Sequence, residues 1–166
     1  VLYNTKVDVA GNHLSGLLFI KTMADGSVRI VFTNEMGFKM FDFEFFENEF
    51  RVIQCIKKLN KAAVIRALRR DLGMLVQSGY DYMPVKYLQS DSLLYLAFQD
   101  GSETIYLIAD KECGKIERME AGTKYKRKVI MNLTGSEKGM PDSVHIAHQA
   151  FQFNIALKKV ETQDAP

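Results

Sequence analysis

The residue types that most often carry chemistry are sparse in this chain: three histidines (His13, His145, His148), two cysteines (Cys55, Cys113) and a few closely spaced carboxylates. A shared metal needs several ligands converging on one point. His145 and His148 are three apart in a segment that reads as strand, so the pleat sends them to opposite faces. His13 falls in a turn far away in sequence. All three are expected at the surface or at a sheet edge. Asp42 and Glu44 do share a strand face, but Phe41, Phe43 and Phe45 alternate with them. The two carboxylates are therefore expected on the solvent side of an amphipathic strand. No GxSxG, no CxxC and no phosphate-binding glycine loop is present. The chain reads as a non-enzyme, with no metal and no cofactor expected.

The cysteines add little. Cys55 alternates within an apolar strand and is expected to be a small core residue. Cys113 lies in the turn KECGK. Two cysteines are too few for a disulfide framework, and a bridge between them stays open.

The elements that would have to position any site are mostly strands. Apolar and polar residues alternate over Leu2 to Ala10, His13 to Met23, Val28 to Asn34, Phe38 to Phe46 and Phe50 to Ile56. The breaks between them carry turn residues: Gly11-Asn12, Ala24-Asp25-Gly26, Glu35-Met36-Gly37 and Glu47-Asn48. Strands resume at Leu93 to Gln99, Glu103 to Ala109, Lys115 to Glu120, Lys126 to Leu133, Val144 to Gln149 and Phe151 to Val160. The passage Ser78 to Asp91, with Pro84 inside it, is less regular and has room for only a short second helix.

Between the two runs of strands lies one helix, Asn60 to about Gln77. Stepping the helical period puts Val64, Ile65, Leu68, Leu72, Leu75 and Val76 on one arc, with Arg66, Arg69 and Arg70 facing out. Asn60 is the expected N-cap and Gly79 the expected stop. The fold class is all-β dominated: about eleven short antiparallel strands curled into an unclosed barrel, with the helix as a lid over the open side.

With 166 residues, 47% of them hydrophobic and 25% charged, the chain has enough apolar surface for a real core and reads as one domain, with a frayed tail over 161–166. The net charge of +2 and the absence of a basic patch interleaved with aromatics argue against nucleic acid. The densest basic run, Lys124, Lys126, Arg127 and Lys128, is expected as a solvated strand edge. No apolar run reaches the roughly 18–20 residues of a membrane-spanning helix. The chain starts at Val1 rather than Met, which reads as a mature or trimmed segment.

Several strands are apolar on both faces, as in Leu17 to Ile20, Val28 to Phe32, Leu93 to Phe98 and Val129 to Leu133. A sheet with one wet face alternates more cleanly. Either the inner side is an ordinary packed core, or it encloses an apolar chamber. Eight Met and eleven Phe would suit the walls of a chamber for an irregular apolar ligand.

The order of elements, together with the hairpin TNEMGFKMFDFEF at Thr33 to Phe45, the helix after Ile56 and MPDSVHIAHQAFQFNIAL at Met140 to Leu157, resembles the LolA/LolB family of periplasmic lipoprotein carriers and receptors. The resemblance implies an unclosed eleven-stranded barrel, lidded by helix, that holds lipid or lipoprotein acyl chains. It also implies a place in the periplasm or at the outer membrane, with a lipid anchor on a segment preceding Val1. The expected cavity residues are Leu18, Ile20, Ile30, Phe32, Phe41, Phe43 and Phe45 from the sheet, with Leu68, Leu72 and Leu75 from the helix. Met36 and Phe38 flank a glycine at a hairpin tip and are expected to touch a membrane surface. The rival expectation is a scaffold domain of a small lipoprotein that docks an envelope partner without a ligand. An open apolar tunnel would favour lipid, and an interior filled by Phe and Leu would favour the scaffold.

Overall fold

The computed structural model describes residues 1–9, 11–78, 83–112, 115–135 and 139–161. Its strands are β1 (Leu2–Val9), β2 (Asn12–Thr22), β3 (Val28–Asn34), β4 (Lys39–Phe46) and β5 (Glu49–Cys55). After the helix α1 (Ala62–Val76) come β6 (Lys86–Gln89), β7 (Leu93–Asp100), β8 (Glu103–Asp110), β9 (Ile116–Gly122), β10 (Arg127–Thr134), β11 (Ser143–His148) and β12 (Phe153–Lys159). All twelve strands form one antiparallel sheet in the order β5-β4-β3-β2-β1-β12-β11-β10-β9-β8-β7-β6. Each half is a meander, and the β1–β12 pairing, Tyr3 opposite Lys159 through Val9 opposite Phe153, joins the two halves.

The edges of this sheet are β5 and β6, which flank α1 in the chain. The backbone leaves one edge, forms the helix and returns as the other edge. The helix therefore lies across the gap of an unclosed barrel, since it is tethered to both of its lips. Register shifts in the β3–β4, β4–β5, β8–β9 and β9–β10 pairs help the sheet to curl, because a bulge bends its strand and increases the local twist. At Gly16 the backbones of β2 and β3 approach so closely that a Cβ would collide with the Thr33 carbonyl.

Among the described residues the expected count of about eleven strands becomes twelve. The extra one, β6, occupies part of the passage expected to be irregular. Its four residues KYLQ are all exposed, so no apolar alternation marks them. A short edge strand of this kind also limits sheet-to-sheet pairing.

The inner face is built by alternate residues. Tyr3 and Thr5 of β1, Leu18 and Ile20 of β2, Ile30 and Phe32 of β3, and Phe41, Phe43 and Phe45 of β4 are all buried. In the second half Ile105 and Leu107, Met119 and Ala121, Val129 and Met131, Val144 and Ile146, and Ile155 and Leu157 continue the same layer. The Tyr3 hydroxyl donates to the Pro141 carbonyl at 2.7 Å. Burial, with the Asp142 charge adding to it, pushes its pKa up to about 12.

The helix carries two corrections. Its N-cap is Lys61, with no side-chain cap, rather than Asn60. It ends at Gln77, which takes the left-handed conformation (φ 53°). There the Ser78 N–H donates to the Gly73 carbonyl (2.9 Å) and the Gln77 N–H to the Met74 carbonyl (3.2 Å), a Schellman closure. The expected stop at Gly79 lies outside the described residues. So do Cys113, and with it any pairing to Cys55, and the tail from 162 onward. Cys55 itself is half-buried, and burial raises its thiol pKa.

Candidate functional site

A cavity of about 730 Å³ opens among the described residues, within the roughly 300–1,000 Å³ range of small-molecule sites. It lies between one flank of α1 and the inner face of the sheet. Val7 and Val9 of β1, Leu14 of β2, Phe32, Phe41 and Phe45, Phe50, Phe151 and Phe153 supply its apolar wall. The aromatic part of that wall is braced internally: Phe41 stacks on Phe43 (centroids 4.4 Å), while Phe50 packs against Phe43 (5.2 Å) and Phe45 (5.1 Å).

Of the expected cavity residues, Phe32, Phe41, Phe45 and Leu68 border this chamber. Leu18, Ile20, Ile30, Phe43, Leu72 and Leu75 are buried in the packed core beside it. The reason is the rotation of the helix. Its most buried residues are Ala67, Leu68, Asp71, Leu72, Gly73, Met74 and Leu75, whereas Val64, Ile65 and Val76 are only half-buried. Asp71, Leu72 and Leu75 form the flank that enters the core. About a third of a turn away, Ala63, Arg66, Ala67, Arg70 and Met74 centre the flank that borders the chamber, with Val64, Leu68, Arg69 and Gly73 at its margins.

The arginines therefore do not all face out. Arg66 is exposed, Arg69 is half-buried, and the side chain of Arg70 is only 14% accessible. Arg70 donates to Asp71 from Nε (3.2 Å) and Nη2 (3.3 Å), and from Nη1 to Glu103 of β8 (3.4 Å). Lys128 of β10 donates to the other Glu103 oxygen. It was expected on a solvated edge with its neighbours. Lys124 and Lys126 do remain exposed, and Arg127 pairs with Glu120 at 2.8 Å. Burial alone would raise the Glu103 pKa, but the Lys128 hydrogen bond and the Arg70 charge outweigh it and hold the carboxyl below the usual range.

Asp71 and His148 are the polar centre of the core. Their side chains are 0% and 1% accessible, and His148 Nε2 lies 2.7 Å from Asp71 Oδ2. The imidazole is packed against Phe153 (4.6 Å) and Phe151 (4.9 Å). This corrects the expectation of surface histidines for His148. The opposite-face parity holds, since His145 is exposed. A buried carboxylate is tolerated only when paired, and here the pairing ties α1 to β11, while Arg70 ties it to β8.

Asp42 is a second correction. It is buried rather than solvent-facing, under Arg29 (Nη2 to Oδ1, 2.7 Å) and Lys39 (Nζ to Oδ2, 2.9 Å). Burial raises its pKa, but the Lys39 and Arg29 hydrogen bonds and charges win, so the carboxyl sits below its ordinary value.

The β3–β4 tip is open to solvent. Met36 is 80% exposed and Phe38 63%, and both backbone N–H groups donate to the Asn34 side chain (3.1 and 2.9 Å). The register places this tip at the same end of the sheet as Val9 and Asn12, which border the chamber. The exposed Tyr125 and Phe151 lie in turns at that end too. Among the described residues no trio of His, Cys, Asp and Glu could hold a metal, and no helix is long and apolar enough to cross a membrane.

No protein-family model matches the sequence, and no curated protein is similar to it at a significant level. Among solved structures, the LolA superfamily protein NE2245 of Nitrosomonas europaea is similar at a TM-score of 0.58 and 5% identity, over 99% of this chain and 86% of that one. A domain of Vibrio parahaemolyticus described as an outer membrane lipoprotein-sorting protein is similar at a TM-score of 0.55 and 6% identity, again over 99% of this chain and 86% of that one. At these identities the likeness is one of fold. The chain has the LolA-like fold: one unclosed antiparallel sheet with a helical lid.

Proposed function

We propose, from a LolA-like fold wrapped around an apolar chamber, that this protein holds lipid or lipoprotein acyl chains without chemically changing them. Its place would be a bacterial envelope, in the periplasm or at the outer membrane. The observation that carries this reading is the chamber of about 730 Å³ under α1, walled by phenylalanines and valines. A scaffold domain would be expected to fill that space with its own side chains. Each buried methylene contributes about 0.8 kcal/mol, so an acyl chain would bind without any polar contact. The two similar structures, a LolA superfamily protein and a lipoprotein-sorting domain, support the same direction.

The purified protein is expected to carry co-purifying acyl ligands in native mass spectrometry, or to take up a fluorescent fatty acid saturably. If both measurements come back empty, the chamber is not a lipid site and the ligand-free scaffold becomes the better reading.

A second reading concerns the exposed tip. Met36 and Phe38 would touch a membrane surface at the chamber end of the sheet, where an acyl chain would enter or leave. The double variant M36S/F38S is expected to lose most of its association with liposomes in a flotation assay and to keep its stability. Unchanged flotation would remove the tip from the mechanism.

A further inference from the structure

We propose that the chamber takes an anionic amphiphile, chain inward, with a carboxylate or phosphate headgroup held by the basic flank of α1. The inference rests on the acyl-chain reading above and adds the class of headgroup. It follows from the rotation of the helix: the flank that borders the chamber carries the arginines, and most of the leucines go into the core. Four cations at the rim, Lys58, Lys61, Arg66 and Arg69, have no carboxylate partner among the described residues. Three carboxylates line the same chamber against six cations: Glu103, engaged by Arg70 and Lys128, Glu49, engaged by Arg51 at 2.6 Å, and Asp100.

A surplus of positive charge is costly to hold together. Arg66 and Arg70 stand four apart on the helix and Arg66 and Arg69 three apart, so the guanidinium groups repel across adjacent turns. A ligand anion in the mouth relieves that repulsion and meets donors suited to carboxylate and phosphate oxygens. The apolar wall opposite, Val9 and Phe153 among it, takes the chain. A neutral headgroup would leave the surplus as it is, and a cationic one would add to it.

The test displaces a neutral solvatochromic dye, Nile red, from the purified protein with sixteen-carbon amphiphiles of one chain length: palmitate, hexadecyl phosphate, hexadecanol and hexadecyltrimethylammonium. The anions are expected to displace the dye at about tenfold lower concentration than the alcohol, or ~1.4 kcal/mol, with the cation weakest and the gap narrowing in high salt. In R66Q/R69Q the gap should close while hexadecanol binds as before, since among the described residues neither arginine holds a partner whose loss would disturb the fold. Both anions acting alike supports a general anion site. Preference for palmitate points to free fatty acids, and preference for hexadecyl phosphate points to a phospholipid-type headgroup. If all four amphiphiles displace the dye equally, the headgroup inference is overturned and the acyl-chain reading stands. If neither dye nor amphiphile binds, the acyl-chain reading falls and this inference with it.

Discussion

Asp71→Ala is expected to destabilise the protein by about 2–4 kcal/mol and to loosen α1 from the sheet. The carboxylate it removes is fully buried and serves two partners, His148 of β11 and Arg70 on its own helix. Without it, the His148 Nε2 sits in an apolar pocket of Phe151 and Phe153 with no acceptor. Arg70 keeps only the long contact to Glu103 at 3.4 Å. Leaving a buried polar group unmatched costs more than the bond itself contributed. Asp71→Asn preserves the volume and one hydrogen bond and should lie between wild type and alanine. The double variant D71L/H148L should recover much of the loss, because a well-packed apolar pair often replaces a buried polar one at little cost. Urea unfolding gives the free energies. Hydrogen exchange along Ala62–Val76 would show whether the helix opens locally before the sheet does. A cost below ~1 kcal/mol for the alanine variant would mean that the pair does not hold the helix down.

That pair also shows where sequence reading stopped. The strands were legible because alternation and turn residues act locally: Phe41, Phe43 and Phe45 share a face, and Gly11, Gly26, Gly37 and Gly101 each take a positive φ at a turn. The pairing that makes one sheet of two meanders, β1 with β12, joins the two ends of the chain, and no local pattern encodes it. β6 was invisible because an exposed edge strand of four residues has no apolar face to alternate.

Within the helix, the leucine arc was the right kind of signal but incomplete. Asp71 sits three after Leu68 and four before Leu75, on their side of the helix, and the charge hid its place in the core. For His148 the available signal was parity, since Val144, Ile146 and His148 share one face of β11 and all three are buried. Asp42 lies across the sheet from Phe41 and Phe43, but Arg29 on the neighbouring strand and Lys39 on its own cover it. In each case a distant or diagonal partner decided whether a polar side chain could go inside, and strand and helix periodicity carry no information about such partners.

The chamber itself can be filled from the helix side, and Ala67→Trp is expected to reduce fatty-acid uptake by about tenfold or more (~1.4 kcal/mol or more) while changing stability by less than ~1 kcal/mol. Ala67 is buried and borders the cavity, so an indole there has open volume to enter and displaces ligand rather than protein. The control is the same change one flank round. Leu72 is 2% exposed and lies in the packed core, away from the lining of the cavity. Leu72→Trp must push neighbours aside and should cost about 1–3 kcal/mol, while the folded fraction still binds the probe. The two variants carry the same indole on the same helix and differ in which wall it meets, so together they distinguish a chamber that holds acyl chains from a merely greasy surface. Should Ala67→Trp bind as tightly as the native protein, acyl chains do not occupy this space. Should Leu72→Trp lose binding at full stability, the site lies in the leucine face of the helix, and the basic flank has no part in it.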